Sequence, residues 1–254
     1  MIDAHAHLQD DKYTNVDNVV KESVRAGVGK IICSSYDIAS SKLAVELAEK
    51  YNDVYATIGI HPHDAKSLTK NAIEELKKLS KNKKVVAIGE IGLDYHYMLS
   101  NKEEQKEAFL AQIELANELA LPMVIHSRDA VGDTIDILRE NLNKLKNGVC
   151  IHCFNMSIEI LKEITKYGFY ISVGGIVTFK NANNIVEVIK ECDMDKLMLE
   201  TDAPYLAPVP YRSNINEPKY VPVIAQKIAD IKNISLEEVE IKTTNNAIRF
   251  FNLK

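Results

Sequence analysis

Six of the seven histidines in this chain stand in or directly after short apolar runs, as His5-Ala6-His7, His61-Pro62-His63, His126 and His152. An imidazole keeps a lone pair on one ring nitrogen when neutral, which makes it a metal ligand or a proton acceptor. The stretch Ile2-Asp3-Ala4-His5-Ala6-His7-Leu8 reads as a strand. Strand side chains alternate with a period of two, so His5 and His7 point to one face while Ala6 points to the other. Two imidazoles side by side form half of a metal site. The competing reading is a tag remnant or two solvated histidines, and the choice depends on whether the chain supplies further ligands. It offers Glu90, His126, His152 and Asp202, each at or just past the end of an expected strand.

Those strands alternate with amphipathic runs. Apolar residues at helical spacing mark Val16–Ala26, Ser40–Lys50, Leu68–Ser80, Thr134–Leu145, Ser157–Lys166, Ile185–Glu191 and Ala225–Ile231 as helices. Short apolar runs at Lys30–Ser34, Val54–Ile60, Val85–Glu90, Pro122–His126, Val149–Cys153, Phe169–Val173 and Leu197–Glu200 read as strands. Ser100 and Glu103 make a Ser-x-x-Glu capping box ahead of Ala108, Leu110, Ile113 and Leu115, and Ser235 caps a last helix. Eight strands interleaved with helices over 254 residues predict a single-domain (β/α)8 TIM barrel spanning residues 1–254. An open doubly wound sheet is the alternative, weakened by the lack of a Gly-x-Gly-x-x-Gly or phosphate-loop signature. In a barrel the C-terminal strand ends converge on one face, where such folds carry their active sites.

Each candidate also has a structural reading. His126 and His152 could be core histidines satisfied by backbone, and Asp202 could cap a turn before Pro204. Glu90, within Ile88-Gly89-Glu90-Ile91-Gly92, could be a salt-bridge partner, although a carboxylate in an apolar strand is costly to bury without a cation. One binuclear metal centre of His5, His7, Glu90, His126, His152 and Asp202 accounts for all six together. Cys150-Ile-His-Cys153 has the spacing of a redox or zinc motif, but strand parity sends its two cysteines to opposite faces, so structural thiols are expected.

Composition bounds the rest. A hydrophobic content of 46% can build a substantial core. A formal charge of −5 argues against a general nucleic-acid coat protein, though not against a polyanion held by local charge or metal ions. The four cysteines lie in apolar contexts that suggest reduced thiols in the cytoplasm. Neither a secretion signal nor a membrane span is expected.

Longer motifs extend the pattern: Gly59-Ile-His-Pro-His63, Gly89-Glu-Ile-Gly-Leu-Asp-Tyr95, Pro122-Met-Val-Ile-His-Ser-Arg-Asp129, Ile151-His-Cys-Phe154, Gly175-Ile-Val-Thr-Phe-Lys180, Leu199-Glu-Thr-Asp-Ala-Pro-Tyr-Leu206 and Asn216-Glu-Pro218. In this order, and with the His5-Ala-His7 start, they resemble the TatD-family metal-dependent deoxyribonucleases, a branch of the amidohydrolase-like barrels. The resemblance implies that His5, His7, Glu90 and Asp202 hold one metal and that His126 and His152 hold a second, with Glu90 bridging. It also implies that His61 contacts substrate near the scissile phosphate. Two departures stand out: Arg212-Ser-Asn-Ile215 lacks the family's glycine and further basic residues, and Asn155-Met156 replaces its Ser-Gly. Neither touches a ligand, but both bear on which substrate is held.

The expected chemistry is cleavage of DNA phosphodiester bonds, exonuclease-like and from single-stranded ends. Two divalent cations can acidify a shared water and stabilise an anionic transition state. Asp202 is placed to take the water's proton, with Glu90 completing the catalytic pair of carboxylates. His61 and Arg128, and behind them Lys180 and Arg212, are candidate phosphate contacts. The ligand set favours Zn, Mn or Fe as bound metal, while the resemblance suggests Mg or Mn for activity. Alternative substrates for the same centre are small-molecule esters, amides, lactones or phosphotriesters, and D-aminoacyl-tRNA. A non-enzymatic interaction protein would leave six converging ligands without a purpose. A monomer is compatible with the sequence.

Overall fold

Strands and helices alternate along the computed structural model, which describes residues 1–253. The strands are β1 (Ile2–Ala6), β2 (Lys30–Cys33), β3 (Val54–Ile58), β4 (Val85–Asp94), β5 (Met123–Arg128), β6 (Val149–Ile151), β7 (Tyr170–Val173) and β8 (Leu197–Leu199). The helices are α1 (Val16–Arg25), α2 (Ile38–Lys50), α3 (Lys70–Leu79), α4 (Lys102–Leu119), α5 (Val131–Glu140), α6 (Ile158–Lys166), α7 (Asn183–Glu191), α8 (Val221–Lys232) and α9 (Leu236–Phe251). The strands follow one another in a single sheet in the order β1 to β8, the (β/α)8 class expected from the sequence. Packing divides the chain into two compact units, one of Met1–Cys33 with His152–Lys254 and one of Ser34–Ile151. No helix among the described residues is long and apolar enough to cross a membrane.

In the first unit β1 pairs in parallel with β2, and β7 with β8. Past β8 the chain lies against the end of β1. The Asp202 N–H donates to the His5 carbonyl at 2.9 Å, the His7 N–H donates to the Ala203 carbonyl at 2.7 Å, and Ala6 bridges Ala203 in parallel. This pairing brings Asp202 level with His5 and His7. Buried Asn246 of α9 ties the approach to β8 by donating to the Met194 and Leu197 carbonyls, both at 2.7 Å.

In the second unit β3, β4, β5 and β6 pair successively in parallel. β4 is buried along its whole length, as expected of a parallel strand covered on both faces. It outruns the expected end at Glu90 by four residues, because Ile91–Asp94 stay in register with Ile125–Arg128 of β5. Glu90 is therefore mid-strand. Register shifts between Ile88 and Ile91, and the Glu90 N–H leaves the ladder to donate to the Ser35 carbonyl at 2.8 Å. Irregularities of this kind re-aim side chains.

Helix starts hold several corrections. The capping box of α4 is Asn101 with Glu104, not Ser100 with Glu103. The Ser100 hydroxyl instead donates to the His63 carbonyl at 2.8 Å, which leaves the cap to the next residue. α5 begins at Val131 without a side-chain cap, so no start signal marked it, and it ends at Glu140 before a 3-10 turn. α8 begins at Val221, with Pro222 in its first turn, where a missing N–H does no harm.

Two buried glutamines two turns apart on one face of α4 hold loop and strand backbone in place of a neighbouring strand. Gln112 accepts the Ile60 N–H at 2.7 Å and donates to the Ile60 carbonyl at 2.9 Å. Gln105 does the same for Asp94, at 2.8 and 2.9 Å. They fix the backbone beside His61 and at the end of β4.

Candidate metal centre

The first unit gathers His5, His7 and Asp202. His5 Nε2 lies 3.3 Å from His7 Nε2, and Asp202 Oδ1 lies 3.7 Å from the former and 3.4 Å from the latter. Burial works against ionisation of Asp202, but the hydrogen bond from His7 and the nearby His5 and His152 hold its carboxyl below the ordinary range. Three donor atoms could share one cation here. The spacing fits: ligands about 2.0–2.1 Å from a tetrahedral ion lie roughly 3.3 Å apart. His152 stacks on His5 with ring centroids 4.0 Å apart and planes inclined by 7°. Its Nδ1 is 3.6 Å from Glu200 Oε1. Glu200 is fully buried and accepts from the Cys153 N–H at 2.8 Å and from the Ser172 hydroxyl.

The second unit gathers His61, Glu90 and His126, again a set that could hold an ion. Glu90 Oε1 lies 2.9 Å from His126 Nδ1 and 3.6 Å from His61 Nε2. The two imidazoles differ in how their other nitrogens are engaged. His61 Nδ1 accepts the His63 N–H at 3.1 Å, which puts the proton of neutral His61 on Nε2 and makes that atom a donor. Burial keeps His61 well below the ordinary imidazole range, outweighing the pull of Glu90. His126 Nε2 instead faces Asp94 Oδ2 at 3.0 Å, leaving Nδ1 as the atom turned to Glu90. Burial alone would raise the Asp94 pKa, but hydrogen bonds from His126 and the Tyr97 N–H hold it well below the usual range.

The six expected ligands thus fall into two clusters, with His5, His7, Asp202 and the stacked His152 in one and Glu90 and His126 in the other beside His61. Arg128 belongs to β5 rather than the loop after it; it is exposed and lies 4.9 Å over the Tyr97 ring. Lys180 is exposed. Arg212 is also exposed, donating to the Ala207 carbonyl at 3.0 Å and lying 4.0 Å over the Phe179 ring. Cys150 and Cys153 are thiols outside any disulfide. Asp94, Glu200 and the two glutamines of α4 were not singled out by sequence. A signal for Asp94 existed, since it shares strand parity with Glu90, but only for a strand continuing past Glu90.

The family model described as TatD related DNase matches residues 2–252. A Bacillus subtilis protein named as an uncharacterized metal-dependent hydrolase, YabD, is 44% identical over all of this chain and 99% of its own. The Erwinia tasmaniensis 3'-5' ssDNA/RNA exonuclease TatD is 36% identical over 93% of each chain. The crystal structure of the Escherichia coli TatD homolog YjjV superposes with a TM-score of 0.92 at 27% identity, covering 100% of this chain and 98% of that one. This chain belongs to the TatD-related DNase family and is a metal-dependent hydrolase.

Proposed function

We propose that the chain is an exonuclease-like deoxyribonuclease that cleaves phosphodiester bonds from single-stranded DNA ends, the whole chain working as one catalytic domain. His5, His7, Glu90, His126, His152 and Asp202 would hold two divalent ions, with Mg or Mn supporting activity. The observation that carries this reading is the pair of histidine–carboxylate clusters with ligand spacing, one around Asp202 and one around Glu90. The substrate class follows the Erwinia relative, named as a single-stranded DNA and RNA exonuclease.

When bound, two divalent ions supply acidified water and charge neutralisation at the phosphate. Asp202 is held ionised, so its carboxylate is open to take the proton of the attacking water. His61, neutral with its proton on Nε2, presents a fixed donor to a phosphoryl oxygen and needs no charge to do so. Arg128, exposed beside this cluster, offers a planar guanidinium to a neighbouring phosphate.

The test is digestion of 5'- and 3'-labelled single-stranded oligonucleotides with added Mn or Mg, beside His126→Ala and a screen of small esters, amides and D-aminoacyl-tRNA. Stepwise shortening that His126→Ala abolishes is expected. Intact oligonucleotides alongside efficient hydrolysis of an ester or amide would refute the nuclease reading.

A further inference from the structure

Asp94 is the end residue of β4 and is 1% exposed; its charged-group contacts among the described residues are with the imidazoles of His63 and His126, and no expected role uses it. Its backbone cannot drift, because Gln105 binds both its N–H and its carbonyl. Its carboxylate cannot rotate either. Oδ1 accepts the N–H groups of His96 and Tyr97, both at 3.0 Å, and so Oδ2 is aimed at His126 Nε2, 3.0 Å away. His63 Nε2 lies 3.1 Å from the same oxygen but off axis, without a hydrogen bond, so His126 is the ring that Oδ2 engages.

An ionised carboxylate only accepts hydrogen bonds. Both ring nitrogens of His126 face a carboxylate, Nε2 toward Asp94 Oδ2 at 3.0 Å and Nδ1 toward Glu90 Oε1 at 2.9 Å. A cation held by Glu90 would take the place of a proton at Nδ1, so that the ring keeps its N–H at Nε2 and its lone pair on Nδ1. We propose that Asp94 is the positioning residue that makes His126 a metal ligand, by locking the proton on Nε2 and turning the Nδ1 lone pair toward the Glu90 side. This rests on the reading of His126 as a ligand. Carboxylates that orient ligating histidines in this way raise ligand basicity, and their loss typically lowers metal affinity about 10–100-fold.

The arrangement makes the isosteric variant informative. In Asp94→Asn the two backbone N–H groups claim the amide oxygen, so the amide NH2 faces His126. A donor there demands the lone pair on Nε2 and drives the proton to Nδ1, where it blocks a metal.

The experiment uses Zn(II) alone as probe. In the Zn-loaded wild type, nitrogen-15 NMR of the histidine rings should show His126 protonated on Nε2; protonation on Nδ1 overturns the proposal without recourse to any variant. In competition titrations against a chromophoric chelator, Asp94→Asn should weaken one of two zinc equivalents 10–100-fold and leave the other unchanged. Wild-type affinity for both equivalents overturns the proposal. His126→Ala separates the two levels of the reasoning. If it binds zinc as the wild type does, His126 is not a ligand and both readings fall; if it loses an equivalent that Asp94→Asn keeps, only the role of Asp94 falls.

Discussion

Replacing Gly92 by alanine perturbs the second cluster through the backbone alone. Gly92 has φ of +135°, a region essentially closed to residues with a side chain. It stands opposite His126 in the β4–β5 register, and an added Cβ would lie 2.1 Å from the His126 carbonyl oxygen. Ordinary contact begins near 3.4 Å, so the strands must separate by more than about 1 Å, beyond the roughly 0.5 Å that a preorganised site tolerates. The dihedral strain is worth about 1–3 kcal/mol and the overpacking about 1–3 kcal/mol, which together give roughly 2–6 kcal/mol. Against a total of about 5–15 kcal/mol, the variant should still fold but unfold at much lower urea. Because the displaced atom belongs to His126, the metal-binding loss should exceed what the stability change explains. Urea unfolding of metal-free protein, paired with zinc titration well below the unfolding midpoint, reads both effects. Gly132→Ala is the control: nothing lies within 4 Å of its added Cβ, and in α5 it should stabilise by up to about 1 kcal/mol. Gly92→Ala within about 0.5 kcal/mol of wild type and with unchanged zinc binding would refute the argument.

Three further outcomes follow from buried groups. Burial pushes the Asp3 carboxyl from 3.8 up to about 8, so the folded state keeps a proton that the unfolded chain gives up above about pH 4. Its contribution to stability is therefore complete at low pH and declines as pH rises toward 8, by about 1.4 kcal/mol per pH unit. Metal-free Asp3→Asn should lack that component of the slope in urea unfolding between pH 5 and 7.5, and equal slopes would contradict it. Burial likewise pushes the Cys33 and Cys192 thiols up to about 12, so at pH 8 a disulfide reagent should label the partly exposed Cys153 first and reach those two only on unfolding. Thr57→Val removes the 2.6 Å hydrogen bond to the Gly89 carbonyl and should lower stability by about 1–2 kcal/mol in the same urea assay.

Much of the architecture was legible because each strand is a short apolar run and each helix carries an apolar stripe. Those two periodicities do not depend on tertiary contacts. The candidate ligand residues were legible for a related reason, since His, Glu and Asp at strand ends are chemically out of place in an apolar core. Where the reading failed, a tertiary partner decided the outcome. The fourth strand was expected to end at Glu90, yet β5 holds it on through Gly92 to Asp94. Ser100 looks like a cap, yet its hydroxyl serves the His63 carbonyl. Gln105 and Gln112 carried no signal in the sequence, yet both are fully buried, where they replace a neighbouring strand for Asp94 and Ile60. None of these partners lies at a sequence spacing that a local pattern can register.

His61 and His126 show how far residue type falls short of role. Both lie on the Glu90 side, and a pattern of ligand-type residues treats them alike. What separates them is the partner of the second ring nitrogen. A backbone N–H at His61 Nδ1 makes Nε2 a donor, suited to a phosphoryl oxygen. A carboxylate at His126 Nε2 would, in the proposed reading, keep the proton there and free Nδ1 for a cation. The backbone donor belongs to the turn Pro62–Ser67, and the carboxylate is held by the His96 and Tyr97 N–H groups on a residue whose backbone Gln105 fixes. In the proposed reading, the allocation of proton donor and metal ligand would be set by the turn after His61 and by the supports of Asp94, none of which would meet a metal or a phosphate itself. Exchanging the two roles would require exchanging those supports, so substituting either histidine cannot be compensated by the other.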